Sequence, residues 1–200
     1  MRNEPAEIIK YMGYEIKIYQ DDGPTNPREN DHLGTMLCKH SRYNLGDTKE
    51  SQAMSPDEIK VHVNRKDVIS LPLYILDHSG ICMKTSFINT YMGWDTSMVG
   101  WITVKKSKAL KEWNKKKWTK LFEKKILSVL ESEVREYSDY LEGNVYGYII
   151  TQDGEKYDSR WGFYPDHSND GDSNGLGYMI EGCQSIIRSY VISDHREAII

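Results

Sequence analysis

Between residues 118 and 141 the chain places Trp118, Leu121, Phe122, Ile126, Val129, Leu130, Val134, Tyr137 and Leu141 at three- and four-residue steps. With 3.6 residues to a turn, that spacing lines them along one stripe of an α-helix. A helix of this length must bury its stripe against a broad apolar surface, and Gly143 sits where a C-cap glycine would end it. The segments on either side read mostly as strands. Residues 14–19 (YEIKIY) alternate apolar and polar side chains, 33–38 (LGTMLC) form a short apolar run, and 68–76 form a longer one interrupted at Pro72. Residues 81–85 return after the turn at 77–80, and 99–104 form a strand in which Gly100 marks a bulge or a close backbone approach. Residues 145–150 and 157–164 flank Asp153-Gly154 as a hairpin. Ser55-Pro56-Asp57-Glu58 is a helix start, with Ser as N-cap and Pro at the first helical position, and that helix ends near Asn64. A second short helix is expected around 178–190. Strands before and after the long helix, without β-α-β alternation, predict an α+β fold: a mainly antiparallel sheet packed against one long amphipathic helix. The expected organisation is a single domain over residues 1–200 with a polar, acidic loop at 165–177.

Charge is placed unevenly along the chain. The formal net charge of the 200 residues is −4. Residues 105–125, however, carry ten lysines against Glu112 and Glu123, while residues 126–200 carry 5 basic and 14 acidic side chains. A basic segment between acidic flanks is either a solvated helix face whose lysines pair with the acidic C-terminal third, or a footprint for nucleic acid or an acidic protein. The exposed candidates are Lys111, Lys115, Lys116, Lys117 and Lys120, with Trp113 interleaved as a stacking platform, since Trp118 belongs to the apolar stripe. No apolar run reaches the roughly 18 residues of a membrane span. The first residues lack the apolar stretch of a signal peptide, and three cysteines are too few for a disulfide framework. The expected setting is cytoplasmic, with no membrane partner.

Three constellations carry candidate chemistry. Asp170-Gly171-Asp172-Ser173-Asn174-Gly175 followed by Glu181 satisfies the D-x-D-x-N-G-x5-E spacing of a calcium loop. In it Asp170, Asp172 and Asn174 would give side-chain oxygens, Leu176 a carbonyl and Glu181 a bidentate carboxylate. Gly177 replaces the aliphatic residue usual at the eighth position, so the default is no cofactor, with Ca2+ the ion the spacing admits. Cys38, His40, His78 and Cys82 are ligands of the type zinc prefers, but C-x-H and H-x3-C are not finger or ribbon spacings. Asp77-His78-Ser79 holds the residue types of a hydrolase triad, but adjacent residues point in different directions and no G-x-S-x-G surrounds Ser79. An acid–base cleft would instead gather Asp31, His32, Asp77, His78 and Asp95 from separate strand ends. No phosphate-loop glycine pattern occurs.

Several strings, NPRENDHLGTM at 26–36, RYNLGD at 42–47, DHSG at 77–80, VGWI at 99–102, Glu133-Val134, YLEGNVYG at 140–147 and DSRWGFY at 158–164, are similar to a family of small bacteriophage- and prophage-encoded proteins. The resemblance implies a phage setting and by itself no activity. Size, the missing catalytic signatures and the divided charge then favour an intracellular phage accessory protein that binds and inhibits a host protein of antiviral defence, in the manner of an anti-CRISPR. The chain's 14 tyrosines supply side chains suited to an interface. A hydrolase or nuclease using the Asp/His cleft, and a nucleic-acid binder using residues 105–125, are the two alternatives.

Overall fold

Tyr14–Gln20 alternates buried and half-exposed side chains, as its sequence pattern requires, and is the second of eight strands among the described residues. The structure is a computed structural model describing residues 4–78, 80–86, 96–168 and 174–197, with the side chains of 193–197 outside the description. In chain order the elements are β1 (Glu7–Tyr11), β2 (Tyr14–Gln20), a 3-10 turn at Pro27–Glu29, β3 (Thr35–Cys38), α1 (Thr48–Gln52), α2 (Pro56–Val63), β4 (Val68–Asp77), β5 (Ile81–Lys84), β6 (Thr96–Lys105), α3 (Lys106–Glu112), α4 (Lys120–Glu142), β7 (Tyr146–Gln152), β8 (Glu155–Phe163) and α5 (Gly177–Glu197). All strand pairs are antiparallel, in two four-stranded sheets ordered β1-β2-β7-β8 and β3-β6-β4-β5, so the class is α+β.

The fold divides into two compact units, residues 1–25 with 143–200, and residues 26–142. In the first, β7 and β8 close over Asp153 (φ 49) and Gly154 (φ 86), the left-handed pair that a tight two-residue hairpin turn demands. α5 lays Met179, Cys183 and Ile187, four residues apart, on Tyr14, Ile16, Ile18, Tyr148 and Ile150. It is longer than the expected 178–190. β1 was not expected: its sequence EIIKY lacks strict alternation, and pairing with β2 is what makes it a strand.

In the second unit α4 packs Phe122, Ile126, Leu130, Val134 and Tyr137 on Met36, Leu73, Ile75, Met83, Ile102 and Val104. Leu121, drawn on the apolar stripe, is 80% exposed because it falls in the first turn, beside Phe122, which takes the core position. Pro72 is tolerated within β4 because β5 pairs only with Tyr74–Asp77, leaving that stretch of β4 without a paired strand on one side among the described residues. The irregularity itself lies one step on, between Leu73 and Tyr74. Gly100 marks a close approach: a Cβ there would stand 2.0 Å from the Leu37 carbonyl oxygen. Both outer strands of this sheet are capped by side chains. Asp47 Oδ2 accepts the Met36 amide (2.8 Å), Ser51 Oγ the Cys38 amide (3.0 Å) and Ser138 Oγ the Met83 amide (2.8 Å), which satisfies donors an edge would otherwise leave open. α2 starts with the full capping box, Ser55 accepting the Glu58 amide and Glu58 the Ser55 amide.

Candidate functional site

The Lys-rich stretch is two helices and a connection, not one helix face. α3 follows β6 without a break, Asn114 turns the chain with φ 48, and α4 begins at Lys120. Trp113 and Trp118 both set their rings edge-on to Phe122, with centroids 6.0 and 5.2 Å away. Lys125 covers Trp113 at 5.2 Å, Lys106 covers Trp118 at 5.4 Å, and Trp118 Nε1 donates to Glu123 (2.7 Å). Trp113 is therefore a packed ring and not the free platform expected of it. Of the ten lysines only Lys106 is half-buried; Lys111, Lys115, Lys116, Lys117 and Lys120 are all exposed. Among the described residues none of the ten forms an ion pair. Within the described residues no helix is long and apolar enough to cross a membrane.

A polar cleft of about 590 Å3 opens between the 26–35 segment and the 44–50 segment. At its base lies Arg28, with a side chain only 3% exposed. Its Nε and Nη2 donate to the two oxygens of Asp47 (2.8 Å each), its Nη1 to Glu133 (3.2 Å), and its Nη2 also to the Gly34 carbonyl (2.7 Å). Burial alone would make this guanidinium easier to deprotonate; Asp47, and then Glu133, more than reverse that and hold its pKa above the ordinary value. Glu133 also accepts the amides of Leu33 (2.8 Å) and Gly34 (3.1 Å). No buried side-chain nitrogen or oxygen of the described residues lacks a partner. The group thus acts as a clamp: it ties the 3-10 turn, β3, the approach to α1 and α4 together through internal hydrogen bonds.

Of the expected Asp/His set, His32 alone lines this cleft among the described residues. His32 lines the cleft but its Nε2 contacts the Pro27 carbonyl of its own turn, while Asp31 is exposed. Asp77 is held by Arg42 and by Tyr43 Oη (3.2 Å), and neither it nor His78 lines the cleft. Asp95 and Ser79 lie outside the described residues. The calcium reading loses one ligand: the Leu176 carbonyl already accepts the Met179 and Ile180 amides (3.0 and 3.1 Å), and the side chain is buried in the core. Asn174 and Glu181 are exposed, and Asp170 and Asp172 lie outside the described residues. The zinc set is dispersed as well. Cys38 is buried, His40 Nδ1 accepts the Arg42 and Tyr43 amides, and Cys82 Sγ lies 3.7 Å from Ser138 Oγ. Among the described residues no three His, Cys, Asp or Glu side chains group to hold a metal ion.

Arg28, Asp47 and Glu133 were not singled out from the sequence. Nineteen and 105 residues separate Arg28 from its two carboxylates, and no local pattern marks partners so distant. All three do lie inside the strings NPRENDHLGTM, RYNLGD and Glu133-Val134. Comparison with protein-family models, with curated proteins and with solved structures gave no match for this chain.

Proposed function

We propose that the chain is an intracellular phage accessory protein that binds and inhibits a host protein, of the kind used in antiviral defence, and that it meets an acidic partner through residues 105–125. One observation carries the reading: nine exposed lysines crowd a short segment, and among the described residues none is neutralised by an ion pair. Unpaired cations in one place raise the local potential and speed the encounter with an acidic surface. The cleft supports binding over catalysis because its one buried charge is spent on structure. Single-stranded nucleic acid is the weaker reading, since stacking needs open rings and Trp113 and Trp118 are both packed on Phe122.

The test compares the full chain with the variant Lys115→Ala/Lys116→Ala/Lys117→Ala, each immobilised and exposed to lysates of candidate bacterial hosts. A host protein retained by the parent, reduced about tenfold by the variant, released by salt and losing its activity on adding the chain is the expected result. Equal retention by both forms removes the lysine surface. A steeply salt-dependent affinity for a single-stranded oligonucleotide, with no protein retained, transfers the segment to nucleic acid.

A further inference from the structure

The sheet β3-β6-β4-β5 has two faces, and α4 covers only one. Ile102 and Val104 of β6 point into the α4 core, so by strand alternation Trp101 and Thr103 point to the other face. That face is met by α2, which anchors on it through Ile59, 2% exposed. Eight residues of helix extend about 12 Å, whereas strands of ten residues extend about 33 Å. Two grooves are left beside α2. One, of about 180 Å3, runs between Pro56 and Ile59 of α2 and Met98 and Trp101 of β6. The other, of about 230 Å3, is lined on this face by Leu37 and Met54 with Thr35 and Thr103. Leu37 lines both, so they belong to one surface.

The rims are basic. Lys39 and Lys60 flank the first groove; Lys105 and Lys108 flank the second, where Glu50 is the one carboxylate. Lys60 touches Asp57 at 3.4 Å, but both side chains are largely exposed, and such a pair yields readily to a competitor. Lys108 donates to the carbonyls of His32 and Leu33 (2.7 and 2.9 Å), which places its charge without cancelling it. His62, lining the second groove, is held below its ordinary pKa by burial and then by Arg65 and Lys105, in keeping with a positive local potential. Lys105 is also where the lysine-rich segment begins.

We infer that this face is the docking surface for an acidic segment of the partner protein that inserts two bulky apolar side chains into the grooves beside α2 while its carboxylates meet Lys39, Lys60, Lys105 and Lys108. The inference rests on the binding reading above and gives the partner its chemistry. Apolar anchors in such pockets hold the complex, and the lysines select an acidic partner over a basic one.

The probe is a labelled synthetic peptide of aspartates and glutamates, about twelve residues long, with two leucines spaced four apart as on one face of a helix. Its control replaces both leucines by alanine. Fluorescence anisotropy measures affinity, and the indole N–H resonance of Trp101 reports the place. The leucine peptide is expected to shift the Trp101 signal and to bind about tenfold tighter than the alanine control. Met98→Asp, at a side chain 45% exposed, and Lys39→Glu/Lys60→Glu, at surface lysines, are each expected to weaken it by a similar factor with the circular dichroism unchanged. Equal affinity for both peptides, no saturable binding, or indifference to these variants overturns the inference. A host protein lost from the Lys115–Lys117 alanine variant yet fully retained by Met98→Asp would leave the proposed function standing and remove this surface from it. A dimer in sedimentation that Met98→Asp dissociates would put a second copy of the chain in the grooves and refute a foreign partner.

Discussion

The Arg28 clamp makes a quantitative claim about the 26–142 unit. Replacing Arg28 by Ala deletes four hydrogen bonds and leaves Asp47 and Glu133, with side chains 13% and 10% exposed, facing each other without their cation. Removing one partner of a buried ion group costs about 3–5 kcal/mol. Asp47 borders the cleft and keeps the Met36 amide, while Glu133 keeps the Leu33 and Gly34 amides, so water and backbone relieve part of the penalty. The expected cost is therefore about 3 kcal/mol, at the lower end of that range. Glu133→Gln loses the 3.2 Å contact to Arg28 and leaves the Gly34 amide only its 3.3 Å contact to the remaining oxygen, and is expected to cost about 1 kcal/mol. Arg28→Lys keeps the charge but cannot reproduce the two-pronged contact with Asp47, so it should recover less than half of the loss.

Urea unfolding followed by tryptophan fluorescence measures these differences. Of the described tryptophans, Trp101, Trp113 and Trp118 lie in the 26–142 unit and Trp161 in the other, so a Trp161→Phe background makes the signal local. With a denaturant slope of about 2 kcal/mol per molar, Arg28→Ala should lower the midpoint by about 1.5 M and Glu133→Gln by about 0.5 M. A shift for Arg28→Ala no larger than that for Glu133→Gln would refute the reasoning. It would mean that water from the cleft replaces the guanidinium and that Arg28 does not hold these segments together.

Two further outcomes follow from contacts at single positions. Gly100→Ala drives a methyl to 2.0 Å from the Leu37 backbone carbonyl, which cannot step aside, whereas at Gly147 the added Cβ meets chiefly the ring of Trp161, 49% exposed and able to swing out, with the Arg160 backbone carbonyl less closely approached at 2.8 Å. Thermal unfolding should show Gly100→Ala as severely destabilising, by about 3 kcal/mol or more, and Gly147→Ala as clearly milder. Thiol reactivity should rank Cys82 first. Burial, and then the Asp47 charge, push Cys38 up to about 12, and burial with Asp158 pushes Cys183 up to about 12. At pH 8 each is a thiolate about once in ten thousand molecules, while half-buried Cys82 is raised less. Timed alkylation of the native chain with peptide mapping checks the order; Cys38 labelled before Cys82 would contradict it.

What was legible in the sequence was local. The α4 stripe, the Asp153-Gly154 turn, the Ser55 cap and the Gly143 stop each depend on residues within a few positions of one another, and each forms. α3 escaped because Lys106–Glu112 offers only Ala109 and Leu110 to an apolar pattern; its charge run looked like a surface, which it is, and hid the helix underneath. α1 is five residues, too short for any periodicity to show. The two-unit division was hidden because β2 near one end of the chain pairs with β7 near the other. Long-range closure also conceals the clamp: Arg28 sits in a stretch that reads only as a proline turn, and nothing about Glu133 on a solvated-looking helix announces a partner at residue 28.

That closure also regroups the charge. Along the chain, acidic, basic and acidic stretches succeed one another. In the fold the two ends combine into a unit with seven basic and fourteen acidic side chains, leaving 26–142 with nineteen basic against sixteen acidic. The net −4 thus describes neither unit. A partner senses charge only within about 8 Å at physiological salt, so the lysines of 105–125 act through what lies directly over them and not through the total. For the same reason a salt titration of the captured complex reads the number of lysines actually engaged. If Lys39, Lys60, Lys105 and Lys108 take part together with Lys115–Lys117, the salt dependence must fall in two separable portions, one removed by Lys39→Glu/Lys60→Glu and the other by the Lys115–Lys117 alanine variant. A salt dependence abolished by either variant alone would confine the partner to one of the two surfaces.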